Sequence, residues 1–182
     1  MKLFFKGQAP TKAHSTDVGF DLHPVSLTII FAGNNKIKID NIQDKPVSEL
    51  ELEICEAIEQ NRSRYIWNSA MQGIRKLIFD TGTAIKPPAG TWTMLCANSR
   101  LCKTDGLIMQ NGIGIVDPGY RGTIKATYIS TEHSYSVDDI LMLCRTCGQL
   151  IPMTAITPEA IECEKLDDTD RGDKGFGSSD NK

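Results

Sequence analysis

The segment that indicates the fold most clearly reads Gly112-Ile113-Gly114-Ile115-Val116-Asp117-Pro118-Gly119-Tyr120-Arg121-Gly122. An aspartate follows a short apolar run and precedes a turn that contains proline, glycine and tyrosine. This pattern predicts a β-hairpin that presents a carboxylate and an aromatic ring to a pocket. The alternative is an aspartate that only stabilises its own turn by bonding its own backbone. Taken alone, the segment favours neither interpretation.

Short β-type runs, separated by glycine and proline, surround this hairpin. They comprise residues 91–96, 107–110, 123–130 and 140–143. Residues 1–31 also read as strands, and strand character returns from Ile78 onward. Many short strands with closely spaced turns predict a β-sandwich or a β-barrel.

Residues 32–77 differ from their surroundings. Residues 36–40 alternate like a short strand, whereas residues 47–77 read as one long helix. Ser48 and Glu51 have the spacing of a capping box. The apolar residues at helical spacing are Leu50, Ile54, Ala57 and Ile58, continued loosely by Ile66, Met71 and Ile74. We therefore predict a single domain over residues 1–182 with a helical insertion, placed as an appendage on its surface.

Length, charge and cysteine content limit the function classes. The chain has 182 residues and a net charge of −3, so nothing general favours nucleic-acid binding. No apolar stretch is long enough for a membrane span, and the N-terminus lacks a secretory signal. We expect a cytoplasmic protein, in a host cytoplasm if the source is viral, with reduced thiols. Cys144 and Cys147 are predicted to be packed thiols rather than a metal or redox pair.

The C-terminal residues have a different composition. Residues 167–179 are polar and rich in glycine, with one phenylalanine and one arginine among them. This composition predicts a flexible arm over residues 166–182. The alternative is an arm that becomes ordered over a ligand.

Five segments of the chain resemble, in order, the five signature motifs of the trimeric, all-β dUTPase family. Residues 15–22 resemble the first motif, 97–101 the second, the hairpin the third, 147–151 the fourth and 171–179 the fifth. Residues 81–90 also resemble the stretch that leads into the second motif. The resemblance covers the chain except for residues 32–77. It implies a distorted β-barrel or jelly roll, assembled as a homotrimer, that hydrolyses dUTP to dUMP and pyrophosphate with Mg²⁺.

The resemblance also implies roles for individual residues around the nucleoside. Asp117 matches the catalytic base that activates a water for attack on the α-phosphorus. Tyr120 matches the aromatic ring that packs under the deoxyribose and excludes a 2′-hydroxyl. Asn111 matches the position that pairs with uracil, for which an amide offers both a donor and an acceptor. Gly114 belongs to the same substrate-binding motif.

Further matches concern the phosphates and the metal. Asp21 matches the aspartate that positions Mg²⁺ through water, which suits an ion that keeps several waters. Ser99 and Gln149 match phosphate contacts. In the fifth motif Arg171 matches a γ-phosphate clamp, Phe176 a ring that stacks on uracil, and Ser178 a further substrate contact.

Two motifs depart from the family pattern. The second motif has Asn98 where the family usually has arginine, and Arg100 follows two places later. The fourth motif has Thr146 where a basic residue is usual, with Arg145 directly before it. Arg100 is therefore expected to reach the phosphates from a shifted position, or else the contact is weakened. These departures bear on affinity and rate more than on the reaction.

Two alternative functions stay open at this point. The related dCTP deaminases share the fold but need a glutamate on the strand after the third motif, where this chain has Thr127 and no glutamate before Glu132. The chain could instead be a nucleotide-gated binding or regulatory protein. In that case a protein partner would bind the 47–77 helix, where Tyr65 and Trp67 are typical interface anchors.

Overall fold

The computed structural model describes residues 2–61, 73–104, 106–131, 135–155 and 159–162. Within these residues the chain forms eleven strands and two α-helices, α1 (Val47–Gln60) and α2 (Val137–Arg145). The strands are β1 (Phe4–Lys6), β2 (Phe20–Leu22), β3 (Ser26–Phe31), β4 (Lys36–Asp40), β5 (Ile74–Asp80), β6 (Ala84–Lys86), β7 (Thr91–Cys96), β8 (Leu107–Met109), β9 (Ile113–Val116), β10 (Lys125–Ser130) and β11 (Gly148–Thr154). Two short 3₁₀ helices cover Ala32–Asn34 and Ser99–Lys103.

The strands form three antiparallel sheets. The order is β4-β3-β5-β10-β8 in the five-stranded sheet and β2-β11-β7-β9 in the four-stranded sheet. β1 and β6 form a separate two-stranded ribbon. Gly7, directly after β1, and Gly82, shortly before β6, bring two backbone segments close together beside this ribbon. A Cβ atom on Gly7 would lie 1.9 Å from the carbonyl oxygen of Gly82, so this close approach requires glycine. The predicted all-β fold is confirmed.

Both larger sheets bury one face in a common core. In β5 the side chains of Leu77 and Phe79 are fully buried while their neighbours in sequence are more exposed, which is the period-two pattern of a half-buried strand. Leu95 and Leu150 supply the core from the four-stranded sheet. These side chains belong to one hydrophobic cluster, so the two sheets stabilise each other.

A buried tyrosine joins the two sheets. The hydroxyl of Tyr128 in β10 donates a 2.7 Å hydrogen bond to the carbonyl oxygen of Cys147, directly before β11. The Tyr128 ring packs edge-on against Phe79 at a centroid distance of 6.0 Å. Burial raises the pKa of Tyr128 far above its ordinary value, so the hydroxyl keeps its proton and remains a donor.

The predicted helical insertion is present, but its extent was predicted wrongly. α1 ends at Gln60, residues 62–72 lie outside the described part of the chain, and β5 begins at Ile74. This part of the chain is therefore strand, because Ile74, Lys76 and Leu77 pair with β3. The predicted capping box is also wrong. Pro46, not Ser48, precedes the helix, and its carbonyl accepts from the amides of Glu49 and Leu50.

The apolar face of α1 was predicted correctly, and it packs into the fold. Leu50, Ile54, Ala57 and Ile58 are all buried and belong to the main hydrophobic cluster. α1 contacts α2 and β4, and β4 extends the five-stranded sheet at its edge. The first part of the insertion is thus built into the domain.

Residues 140–143 form helix rather than the expected strand. The Ser136 hydroxyl caps α2 by accepting from the amide of Asp139, and two aspartates occupy the first turn. The buried residues Ile140, Leu143 and Cys144 have the i, i+3, i+4 spacing of a helix. A run of four apolar residues is too short to distinguish the periodicity of a helix from that of a strand.

The cysteine pair is packed, as predicted. Cys144 is 3% exposed and Cys147 is fully buried. Burial raises the pKa of the Cys144 thiol from about 9 to about 12, and it raises that of Cys147 further. Across the described residues, no three His, Cys, Asp or Glu side chains are grouped to hold a metal ion. Nor does any helix in that part have the length and apolarity to cross a membrane.

The raised pKa values of these thiols predict that the folded protein loses stability at alkaline pH. Above pH 9 the unfolded chain loses thiol protons that the folded chain keeps up to about pH 12, so the free energy of unfolding falls as pH rises. Urea unfolding between pH 7 and pH 10.5 should show this decline. Cys144→Ala should reduce the slope by up to about 1.4 kcal/mol per pH unit. Cys102→Ala is the matched control, because Cys102 is exposed. Equal slopes in Cys144→Ala and Cys102→Ala would contradict the assignment.

Candidate active site

The third-motif segment forms a pocket, but the predicted β-hairpin is wrong. β9 pairs with β7, whereas β10 pairs with β5 and β8, so the segment is a turn that connects the two sheets. We keep the name hairpin pocket for the cavity at this turn. β9 ends at Val116, and the turn closes through a 3.0 Å hydrogen bond from the amide of Tyr120 to the carbonyl oxygen of Asp117. The pocket has a volume of about 270 Å³. Its lining includes all four residues of this motif that the resemblance assigned to the nucleoside and to catalysis, namely Asn111, Gly114, Asp117 and Tyr120.

The Asp117 side chain is not used to stabilise its own turn. Among the described residues, no hydrogen bond or ion pair engages its carboxylate, and the turn bond comes from the backbone oxygen. The carboxylate is therefore available to a ligand or a water at the pocket. This geometry favours the first of the two interpretations that the segment left open.

Two glycines shape this pocket. A Cβ atom on Gly122 would lie 2.4 Å from the Tyr120 hydroxyl, which itself donates a 3.1 Å hydrogen bond to the carbonyl oxygen of Thr123. The ring is held against the pocket only because Gly122 has no side chain. A Cβ on Gly114 would lie 3.2 Å from the Asn111 amide nitrogen and 3.1 Å from Leu95. The absence of a side chain at Gly114 therefore leaves space for the Asn111 amide.

A second group of polar residues lies across the four-stranded sheet. The Gln149 side chain donates a 2.8 Å hydrogen bond to one carboxylate oxygen of Asp21. These residues face each other in the β11–β2 register, and Gln149 faces Cys96 on its other side. Ser99 begins the 3₁₀ helix three residues after Cys96. The first, second and fourth motifs are therefore brought together, and we call this group the Asp21 half-site.

Asn98 has a structural task that its sequence did not suggest. Its amide nitrogen donates to the carbonyl oxygen of Thr146 at 3.1 Å, and its amide oxygen accepts from the Arg100 amide at 3.2 Å. Asn98 caps the 3₁₀ helix and ties the second motif to the fourth. Asparagine is a favoured N-cap residue, so the cap was detectable from sequence, although its link to Thr146 was not.

The hairpin pocket and the Asp21 half-site are far apart within one chain. Asp21, Gln149, Cys96 and Ile113 form a row across the four strands. Asp117 lies three strands from Asp21 and four residues beyond that row. At about 4.8 Å between strands and about 3.3 Å per residue, the Cα positions of Asp117 and Asp21 are roughly 20 Å apart along the sheet. The fifth-motif residues Arg171, Phe176 and Ser178 lie outside the described residues.

Comparisons with known proteins agree with the fold. No family model matches the chain. A mutant dUTPase of Staphylococcus bacteriophage 80alpha, with dUpNHpp, superposes with a TM-score of 0.60 over 98% of each chain at 17% identity. The structure therefore has the dUTPase fold.

Sequence relatives extend this result. The deoxyuridine 5′-triphosphate nucleotidohydrolase of Rhodococcus erythropolis is 37% identical over 107 residues, 59% of this chain. The match covers 63% of that relative, less than two thirds of its length. The enzyme of the same name from Paramecium bursaria Chlorella virus 1 is 34% identical over 109 residues, which is 57% of this chain and 70% of the relative. The chain belongs to the dUTPase family.

The packing at Gly122 yields a test of the pocket. Gly122→Ala should displace the Tyr120 ring, because the added methyl group overlaps its hydroxyl. We expect calorimetric titration to show dUMP binding weakened by about tenfold or more, on the order of one lost packed contact and one lost hydrogen bond. Gly119→Ala is the matched control in the same turn, since nothing lies within 4 Å of its added Cβ. Equal binding by both variants would show that Tyr120 does not contact the ligand.

Proposed function

We propose that this protein hydrolyses dUTP to dUMP and pyrophosphate. The observation that carries the proposal is the unengaged Asp117 carboxylate, which shares one pocket with Asn111 and Tyr120. This set supplies a base, an amide for a pyrimidine edge and a ring for a sugar. Family membership supports the same reaction. In a cell it would remove dUTP and supply dUMP, and we propose a cytoplasmic location.

Asp117 would act as the general base. Its carboxylate would accept a proton from a water aligned for attack on the α-phosphorus. Tyr120 would pack under the deoxyribose and leave no space for a 2′-hydroxyl. The Asn111 amide would pair with uracil, with Gly114 keeping space for it.

Magnesium suits the Asp21 half-site. One Asp21 oxygen accepts from Gln149 and the other has no partner among the described residues, so it can hold a metal-bound water. Mg²⁺ would neutralise charge on the phosphate oxygens. Ser99 and Gln149 would donate to the same phosphates, and Arg100 would add a cation.

We further propose that the protein is a homotrimer with shared active sites. The separation of roughly 20 Å between Asp117 and Asp21 supports this, because one dUTP cannot contact both within a chain. The hairpin pocket of one subunit would then meet the Asp21 half-site of another. Arg171, Phe176 and Ser178 would come from the C-terminal arm of another subunit, as the family resemblance implies.

The alternative functions have less support. The residues that line the hairpin pocket include one carboxylate, Asp117, and no glutamate that could serve a deaminase. Thr127 takes the expected glutamate position in β10. For the binding-protein alternative, Tyr65 and Trp67 lie outside the described residues, so a partner at the 47–77 segment stays a prediction.

The reaction is tested by measuring pyrophosphate release with Mg²⁺ from dUTP, dCTP, dTTP and UTP. We expect release from dUTP alone, reduced by about 10²- to 10⁴-fold in Asp117→Asn, because the amide cannot accept the proton. Asp44→Asn is the control for removal of an exposed carboxylate. Released ammonia would indicate a deaminase. No turnover of any nucleotide, with dUTP still bound, would indicate a binding protein.

A further inference from the structure

A second pocket lies beside the Asp21 half-site, and it contains three arginine and lysine side chains. Its volume is about 510 Å³, and it is enclosed by the Ser99–Lys103 helix, α2 and the start of α1. Arg100 and Lys103 are three residues apart on the 3₁₀ helix, so they share a face. Arg145 is at the end of α2. We call this the cationic pocket.

The three cations have no acidic partner in the described part of the chain. None of them is among the ion pairs within 4 Å that occur there. Two carboxylates, Glu51 and Asp138, also line the pocket but are fewer than the cations. Unpaired cations that converge on one pocket suit a polyanion.

The backbone connects this pocket to the phosphate contacts. Arg100 directly follows Ser99, with Cα atoms about 3.8 Å apart. Arg145 is four residues before Gln149, and Arg100 is four residues after Cys96, the residue that faces Gln149. Because β7 and β11 are antiparallel, both arginines leave the Asp21 row on the same side. Asp117 of the same chain directly follows Val116, which pairs with Thr93 near the opposite end of β7.

Asn98 fixes this arrangement. Its side chain bonds the Arg100 amide and the Thr146 carbonyl, so it is engaged in the backbone and is not a phosphate ligand. The same two bonds hold Arg100 close to the chain that follows Arg145. Asn98 is therefore a positioning residue for two cations that flank it.

We propose that Lys103 and Arg145 bind the outer phosphates of the nucleotide together with Arg100, and that the inserted helix α1 forms a wall of this site. The proposal rests on the proposed function and identifies which residues of this chain hold the leaving pyrophosphate. Arginine at two of the three positions allows bidentate contacts with phosphate oxygens. Glu51, on α1, limits the affinity of the site through its negative charge.

The test compares ligands that do and do not carry outer phosphates. Arg100→Gln and Arg145→Gln should each raise the KM for dUTP and the inhibition constant of pyrophosphate by about tenfold or more. The affinity for dUMP, which lacks the outer phosphates, should stay within about twofold. Lys38→Gln is the matched control, since Lys38 is exposed on β4 and pairs with Asp40. The midpoint of thermal unfolding and the molecular mass in solution should be the same in every variant as in the wild type.

A variant with the opposite sign tests the role of the inserted helix. Glu51→Gln removes a negative charge from the pocket wall, so pyrophosphate should inhibit about twofold to fivefold more strongly. If α1 forms a wall of the site, Glu51→Gln must strengthen inhibition by pyrophosphate. An unchanged inhibition constant for pyrophosphate would show that α1 is not part of the site.

Three results would overturn the inference. The first is an unchanged KM in the Arg100→Gln/Arg145→Gln double variant, and the second is an equal loss of dUMP affinity. The third is inhibition by pyrophosphate that is not competitive with dUTP, which would indicate a separate anion site. If the wild type releases no pyrophosphate, the proposed function fails. Calorimetric binding of inorganic pyrophosphate to the wild type and the double variant then still tests the pocket.

Discussion

The arrangement of the polar residues depends on the register of β11 between β2 and β7. This register places Gln149 opposite Asp21 on one side and opposite Cys96 on the other. A shift by one residue would turn the Gln149 side chain to the other face of the sheet. Tyr128 protects the register, because its hydroxyl bonds the Cys147 carbonyl two residues before Gln149. A core hydrogen bond thus positions residues that the solvent can reach.

The same antiparallel sheet separates the two halves of the proposed site. β9 runs back along β7, so the turn that follows it emerges at the end of the sheet remote from the Asp21 row. Within one chain, the sheet therefore places the two halves at opposite ends. The proposed homotrimer would complete the site by bringing the hairpin pocket of one subunit to the Asp21 half-site of another. The unengaged Asp117 carboxylate fits a half-site of this kind.

The sequence predicted the features that depend on local chemistry. The pocket at Asp117 follows from its turn residues, although the predicted hairpin pairing does not form. The buried thiols follow from the ordinary behaviour of cysteine, and the buried face of α1 follows from its spacing. The secondary structure was predicted wrongly where the apolar pattern was short, or where pairing with a distant strand determined the conformation. Residues 140–143 are helical because Ser136 caps them and α1 packs beside them, and Ile74 begins a strand because β3 pairs with it. The links from Asn98 to Thr146 and from Gln149 to Asp21 join residues 48 and 128 positions apart, and no local pattern reveals them.

The departures in the second and fourth motifs meet in the fold, which motif matching cannot detect. Asn98 and Thr146 each stand where the family usually has a cation, and the Asn98 side chain donates to the backbone carbonyl oxygen of Thr146. Arg145 ends α2, where a positive charge interacts favourably with the helix dipole, whereas Thr146 follows the helix in an extended conformation. A cation one residue earlier therefore also stabilises α2. Arg100, next to the Asn98 cap, converges on the same pocket. In the proposed phosphate site, Asn98 positions the backbone and the displaced cations would supply the charge.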